Sequence, residues 1–148
     1  MTGSAPKRLL LVEDNPDDLE LALRAFKLND MVHEVQVARD GSEALERLLG
    51  GTHHAPLPTV VLLDLQLPRI DGLTVLKRLR ADARTALLPV VILTSSDEQV
   101  DLVSSYRNGA NSFVRKPVAF GEFVVAMRRI AGYWLGVNET AEPDDGSN

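Results

Sequence analysis

Five short apolar runs, each followed by a segment whose apolar residues recur at helical spacing, constrain the fold of this 148-residue chain more than any other feature. The runs lie at 9–12, 35–38, 60–63, 90–93 and 112–115, and those at 60–63 and 90–93 are apolar throughout. Runs of this length bounded by turn residues read as strands, and full apolarity reads as burial on both faces. Between them, Leu19, Ala22, Leu23 and Phe26 fall on one helical side, as do Ala44, Leu45 and Leu48, then Leu73, Leu76 and Leu79, then Val100 and Val103. A last stripe, Phe120, Phe123, Met127, Ile130 or Ala131, and Trp134, spans an expected helix over 119–135. Strict alternation of this kind implies right-handed crossovers and a parallel sheet with helices on both faces. The expected class is therefore α/β, a doubly wound five-stranded parallel sheet with five helices.

Helix ends support the same division. Asn15 can cap the first helix, Pro16 suits its first position, and Asp17 and Asp18 place negative charge at the positive end of its dipole. Ser96 with Gln99 predicts a capping box for the fourth, and Asn108-Gly109 its end. Residues 8–137 form the expected domain, with 1–7 and the acidic 138–148 as disordered ends. That leaves no room for a second folded output domain.

Composition narrows the function. Of the net charge of −5, most sits in the acidic tail, so the body is close to neutral and carries neither a nucleic-acid footprint nor a membrane-surface patch. Zero cysteines exclude disulfides, thiol nucleophiles and thiolate metal sites, and no signal peptide or spanning segment is evident, so a cytoplasmic protein is expected. His33, His53 and His54 have no third ligand at metal spacing and read as a strand-end residue and a solvated loop pair.

In a doubly wound sheet, ligands bind beyond the carboxyl ends of the strands. There the sequence puts Glu13 and Asp14 after the first run, Asp64 after the third, Thr94 and Ser95 after the fourth, and Lys116 and Pro117 after the fifth. Three carboxylates in one crevice repel unless a cation joins them, and Mg²⁺, or Mn²⁺ in its place, takes oxygen ligands of this kind. An aspartate can also attack phosphorus, with a lysine and a hydroxyl serving the phosphoryl oxygens.

The stretches LLVEDN, LLDLQLPRIDG, PVVILTSS and GANSFVRKP, in this order, resemble the receiver domain of two-component response regulators (the CheY-like superfamily). The resemblance implies a flavodoxin-like fold with strand order 2-1-3-4-5. It implies that Asp64 accepts a phosphoryl group from a sensor histidine kinase, with Glu13, Asp14, Asp64 and the backbone carbonyl of Gln66 on the metal. Lys116 and Thr94 would serve the phosphate, Thr94 and Phe113 would form the switch, and the Lys116–Pro117 bond would be a cis-proline turn. More narrowly, SYRNGANSFVRKPV, the later YWL and the loop around His53 and His54 are similar to single-domain regulators paired with bacterial and cyanobacterial phytochromes. That likeness implies a bacteriophytochrome kinase as donor and a homodimer through helix 4, strand 5 and helix 5, with Tyr106, Tyr133, Trp134 and Leu135 as partner-surface candidates.

Such a protein is a phosphoacceptor rather than an enzyme, and its output is contact with a downstream protein. Two rivals remain from sequence: a phosphorylation-independent binding module or phosphate sink, and a small phosphohydrolase. Against the second, the position two residues after Asp64 is Gln66 and not an acid.

Overall fold

The computed structural model describes residues 7–28, 34–50 and 56–141; His33, His53, His54 and the outer parts of both expected disordered ends lie outside the described residues. Along the chain run β1 (Arg8–Val12), α1 (Pro16–Lys27), β2 (Glu34–Ala38), α2 (Gly41–Leu49), β3 (Val60–Leu63), α3 (Gly72–Ala81), β4 (Val90–Thr94), α4 (Gln99–Arg107), β5 (Ser112–Arg115) and α5 (Phe120–Gly132), followed by a wide π turn at Tyr133–Val137. All strand pairs are parallel and the sheet order is β2-β1-β3-β4-β5, as expected.

The period of two in a strand splits the apolar runs between two cores. Leu10, Val12, Val61, Leu63, Val90 and Ile92 face α2 and α3, meeting Leu45, Leu48, Val75, Leu76 and Leu79. Their neighbours Leu9, Leu11, Val60, Leu62, Val91 and Leu93 face α1 and α5, meeting Leu19, Phe26, Phe123, Met127 and Ile130. β3 and β4 are buried at every residue, which is why their sequences show no alternation.

The start of α1 is as expected: Asn15 Oδ1 accepts hydrogen bonds from the backbone N–H groups of Asp17 and Asp18. At α4 the expectation fails. Its cap is Glu98, which makes no side-chain capping bond, while Ser96 Oγ accepts from the Glu98 N–H and donates to Asp101. Val100 and Val103 are exposed, and Ser105 is the only buried residue of that helix.

Two further expectations are corrected. No described peptide bond is cis, so Lys116–Pro117 is trans, the lower-energy form of a prolyl bond, and the Lys116 N–H still donates to the Thr94 carbonyl at 2.8 Å. Leu135 is not a surface residue: it is 1% exposed in the α1/α5 core. Regular α spacing would carry the stripe from Ile130 to Trp134, but the π turn takes up an extra residue and delivers Leu135 instead. Trp134 packs against the edge of the same core, and Tyr133 meets its ring edge-on with centroids 5.0 Å apart.

Candidate functional site

The four central and edge strands β1, β3, β4 and β5 end at one side of the sheet, and their parallel register brings the residues that follow them together. Glu13 donates its N–H to the Ala38 carbonyl at 3.0 Å, and Asp64 donates its own to Val12 at 3.1 Å, so backbone bonds fix both carboxylate-bearing residues. Beyond Asp64 the loop folds back sharply. Gly72 N–H donates to the Leu65 carbonyl, and a Cβ on Gly72 would lie 2.2 Å from the Asp64 carbonyl oxygen, so no side chain fits there.

Glu13, Asp14 and Asp64 each offer an oxygen within 4.8 Å of the others. Glu13 and Asp64 are buried, whereas Asp14 is exposed and leaves the crevice open to water. A set of carboxylate oxygens with one face open suits a hard divalent cation that retains waters. The Gln66 side chain is exposed, and its N–H donates to Asp64 Oδ1 at 3.1 Å.

From the far side of the crevice comes Lys116, its side chain 7% exposed, with Nζ 2.6 Å from Glu13 Oε1, 2.9 Å from Asp64 Oδ2 and 2.9 Å from Asp18 Oδ2. Burial alone would lower the ammonium's pKa, but hydrogen bonds to Glu13, Asp18 and Asp64 outweigh it and hold the pKa above the ordinary lysine range. Glu13 goes the other way for a carboxyl group. Burial pushes its pKa from 4.5 up to about 7, the Lys116 hydrogen bond opposes that, and the nearby Asp64 charge adds to it.

Thr94 is fully buried, and its Oγ1 accepts from the Ser96 N–H at 3.3 Å. Phe113, half-buried on β5, packs against the α2/α3 core. Glu13, Asp14, Asp64 and Lys116 thus converge on one point, and Thr94 is tied to Lys116 by the backbone bond across β4 and β5. Tyr106 and Tyr133 lie outside the crevice and are 50% and 48% exposed.

From sequence, Asp18 stands out only as a first-turn acid. A signal for its second role does exist: Asp18, Ala22 and Ala25 follow the i, i+4, i+7 stripe by which α1 faces inward. A carboxylate heading an inward stripe needs a partner, and Lys116 is that partner.

The response regulator receiver domain profile matches residues 9–128. The chain belongs to that family. Among curated relatives it is 39% identical over 140 residues to the probable methanogenesis regulatory protein FilR2 of Methanothrix harundinacea, covering 93% of this chain and 90% of that protein. Response regulator Rcp1 of Synechocystis is 33% identical, with 90% and 92% covered. Among solved structures, the phosphorylated cyanobacterial phytochrome response regulator RcpA superposes with a TM-score of 0.87 at 32% identity, covering 93% of this chain and 100% of that one. The Mn²⁺-bound form of Rcp1 gives 0.85 at 31% identity, with 92% and 99% covered. The bacteriophytochrome response regulator AtBRR gives 0.72 at 46% identity, with 93% and 98% covered. The receiver domain is thus related to phytochrome-associated regulators. None of its described helices is long and apolar enough to cross a membrane.

Proposed function

We propose that this receiver accepts a phosphoryl group on Asp64 from the phosphohistidine of a sensor kinase and relays the event through its surface. The observation that carries this reading is the Asp64 carboxylate held 2.9 Å from a buried lysine, with two further carboxylates converging on it. A carboxylate oxygen of Asp64 attacks phosphorus, the P–N bond to the donor imidazole breaks, and its electron pair leaves with that nitrogen, which takes up a proton. The product is an acyl phosphate. Lys116 donates to one phosphoryl oxygen and the Thr94 hydroxyl to another. Glu13, Asp14, Asp64 and the Gln66 carbonyl would hold Mg²⁺ or Mn²⁺, which when bound neutralises the charge that builds between carboxylate and phosphoryl oxygens. Enclosure of Asp64 by backbone on the Gly72 side leaves the Asp14 side for the donor to approach.

Recruitment of Thr94 to the phosphoryl group would open space for Phe113 to turn inward and alter the surface of α4, β5 and α5. Exposed Val100, Tyr106, Val125 and Tyr133 give that surface apolar area for a homodimer or a downstream protein. Two similar structures are described as phytochrome response regulators, which supports a phytochrome-type histidine kinase as the donor, met in the cytoplasm in this reading. The protein would turn over nothing but its own phosphoryl group.

Intact-protein mass after incubation with Mg²⁺ and acetyl phosphate tests the reading. A single hydroxylamine-labile phosphoryl adduct should form, and should vanish in Asp64→Asn and with EDTA. An unmodified wild type, or an adduct that survives the substitution, would overturn it in favour of a phosphorylation-independent binding module.

A further inference from the structure

A lysine ammonium has three N–H donors and no acceptor. Those of Lys116 meet three carboxylates, Glu13, Asp64 and Asp18, all within 2.9 Å. The three partners differ in kind. Glu13 and Asp64 belong to the cluster whose oxygens converge for a cation; Asp18 stands outside it, on the first turn of α1. Asp18 is also the wettest of them, with its side chain 28% exposed against 3% for Glu13 and 5% for Asp64.

The consequence follows from the proposed reaction, on which this inference rests. Metal coordination would engage Glu13 and Asp64, and acylation would convert an Asp64 oxygen from a charged acceptor into part of a P–O–C linkage. Both changes weaken the hold of those two groups on Lys116. Only the bond to Asp18 can persist unchanged while phosphoryl arrives and departs. Beside it, Asp18 and Lys116 both line an open cavity of about 430 Å³ bounded also by Leu21, Ser95 and Pro117, into which an untethered lysine has room to turn.

We infer that Asp18 is a positioning residue for phosphoryl transfer: it tethers the Lys116 ammonium from the α1 side so that one N–H stays directed at the phosphoryl group when its other partners are claimed. Asp18 touches neither the reacting carboxylate nor the phosphoryl group and acts through the lysine alone.

A double-mutant cycle tests this, following adduct formation with acetyl phosphate across a Mg²⁺ titration up to saturation in wild type, Asp18→Asn, Asp18→Glu, Lys116→Met and the Asp18→Asn/Lys116→Met pair. Asp18→Asn should slow phosphorylation about ten-fold, the size of one charged hydrogen bond, while the Mg²⁺ concentration for half-maximal rate moves less than the rate itself. Asp18→Glu should recover most of the loss. In the Lys116→Met background, Asp18→Asn should add nothing, because there is no ammonium left to hold. A rate in Asp18→Asn equal to or above wild type, or an undiminished effect without the lysine, would overturn the inference. Should wild type itself form no adduct, the phosphoacceptor reading falls first and takes this role with it; normal wild-type phosphorylation with an indifferent Asp18 sinks the tether alone.

Discussion

Raising the pH of the metal-free protein from below 4.5 to above 7 is expected to remove a stabilising contribution made by Glu13. Burial beside Asp64 lifts its pKa from 4.5 in the unfolded chain to about 7 in the folded one, despite the opposing hydrogen bond from Lys116. Between those two values the native state carries a proton that the unfolded chain has released. Stability from this group is therefore complete below 4.5 and is lost as the pH rises through about 7. A displacement of about 2.5 pH units at about 1.4 kcal/mol each amounts to about 3 kcal/mol, a sizeable part of a domain's usual stability of about 5–15 kcal/mol. Lys116 adds no slope here, since its pKa starts at 10.5 and is raised, so it stays protonated throughout. Urea titrations in EDTA across this window would read the effect, with Glu13→Gln as the control because glutamine does not titrate. The stability of wild type relative to Glu13→Gln should fall by about 3 kcal/mol from the acid end to the neutral end. With Mg²⁺ present the ionised carboxylate is favoured, so that fall should shrink and metal binding should release a proton. A relative stability that stays flat, or rises with pH, would refute this account of the crevice.

Two substitutions probe the supports of the site. Gly72→Ala would force a methyl to within 2.2 Å of the Asp64 carbonyl oxygen and 2.7 Å of Leu65 Cα, so it should cost more than about 3 kcal/mol in urea unfolding and displace Asp64 enough to slow phosphorylation. A variant within about 1 kcal/mol of wild type would show that the loop yields easily. Arg80→Ala should cost about 3 kcal/mol, because the guanidinium donates to the Gly109, Thr85 and Leu88 carbonyls and to Asn111 Oδ1; its loss leaves the Thr85 carbonyl only the Leu88 N–H and Asn111 Oδ1 only the Val90 N–H, and takes the side-chain donor from the Gly109 and Leu88 carbonyls where α3 meets the start of β5. Phosphorylation by acetyl phosphate should survive in this variant, and its loss would mean that the β5 anchor reaches the site.

Most of the sheet is legible in the sequence, for a simple reason. A strand buried on both faces has almost no choice but Val, Leu and Ile, and 60–63 and 90–93 announce themselves by that run. The start of α1 is equally plain, since Asn15, Pro16 and the following acids satisfy local needs that no distant contact alters. The start of α4 is not legible in the sequence because the helix has little apolar stripe to anchor it. A serine that fits a capping box by spacing instead donates to Asp101. The end of α5 escapes the sequence for another reason. A π turn shifts every later side chain by one position, and periodicity cannot see a change of period that tertiary packing imposes.

The chemistry divides along the same line. Local sequence determined which groups stand at the ends of the strands: two acids after β1, one after β3, a hydroxyl after β4 and a lysine after β5. Each is set by its immediate neighbours and by the strand that precedes it. Tertiary structure alone decided that Lys116 would meet Asp18, 98 residues away in sequence, and that Glu13 would be buried deeply enough to hold its proton to about 7. Desolvation and distance are properties of the packed whole: a carboxylate's pKa and a lysine's partners depend on what other elements bring against them, and no stretch of sequence carries that information by itself.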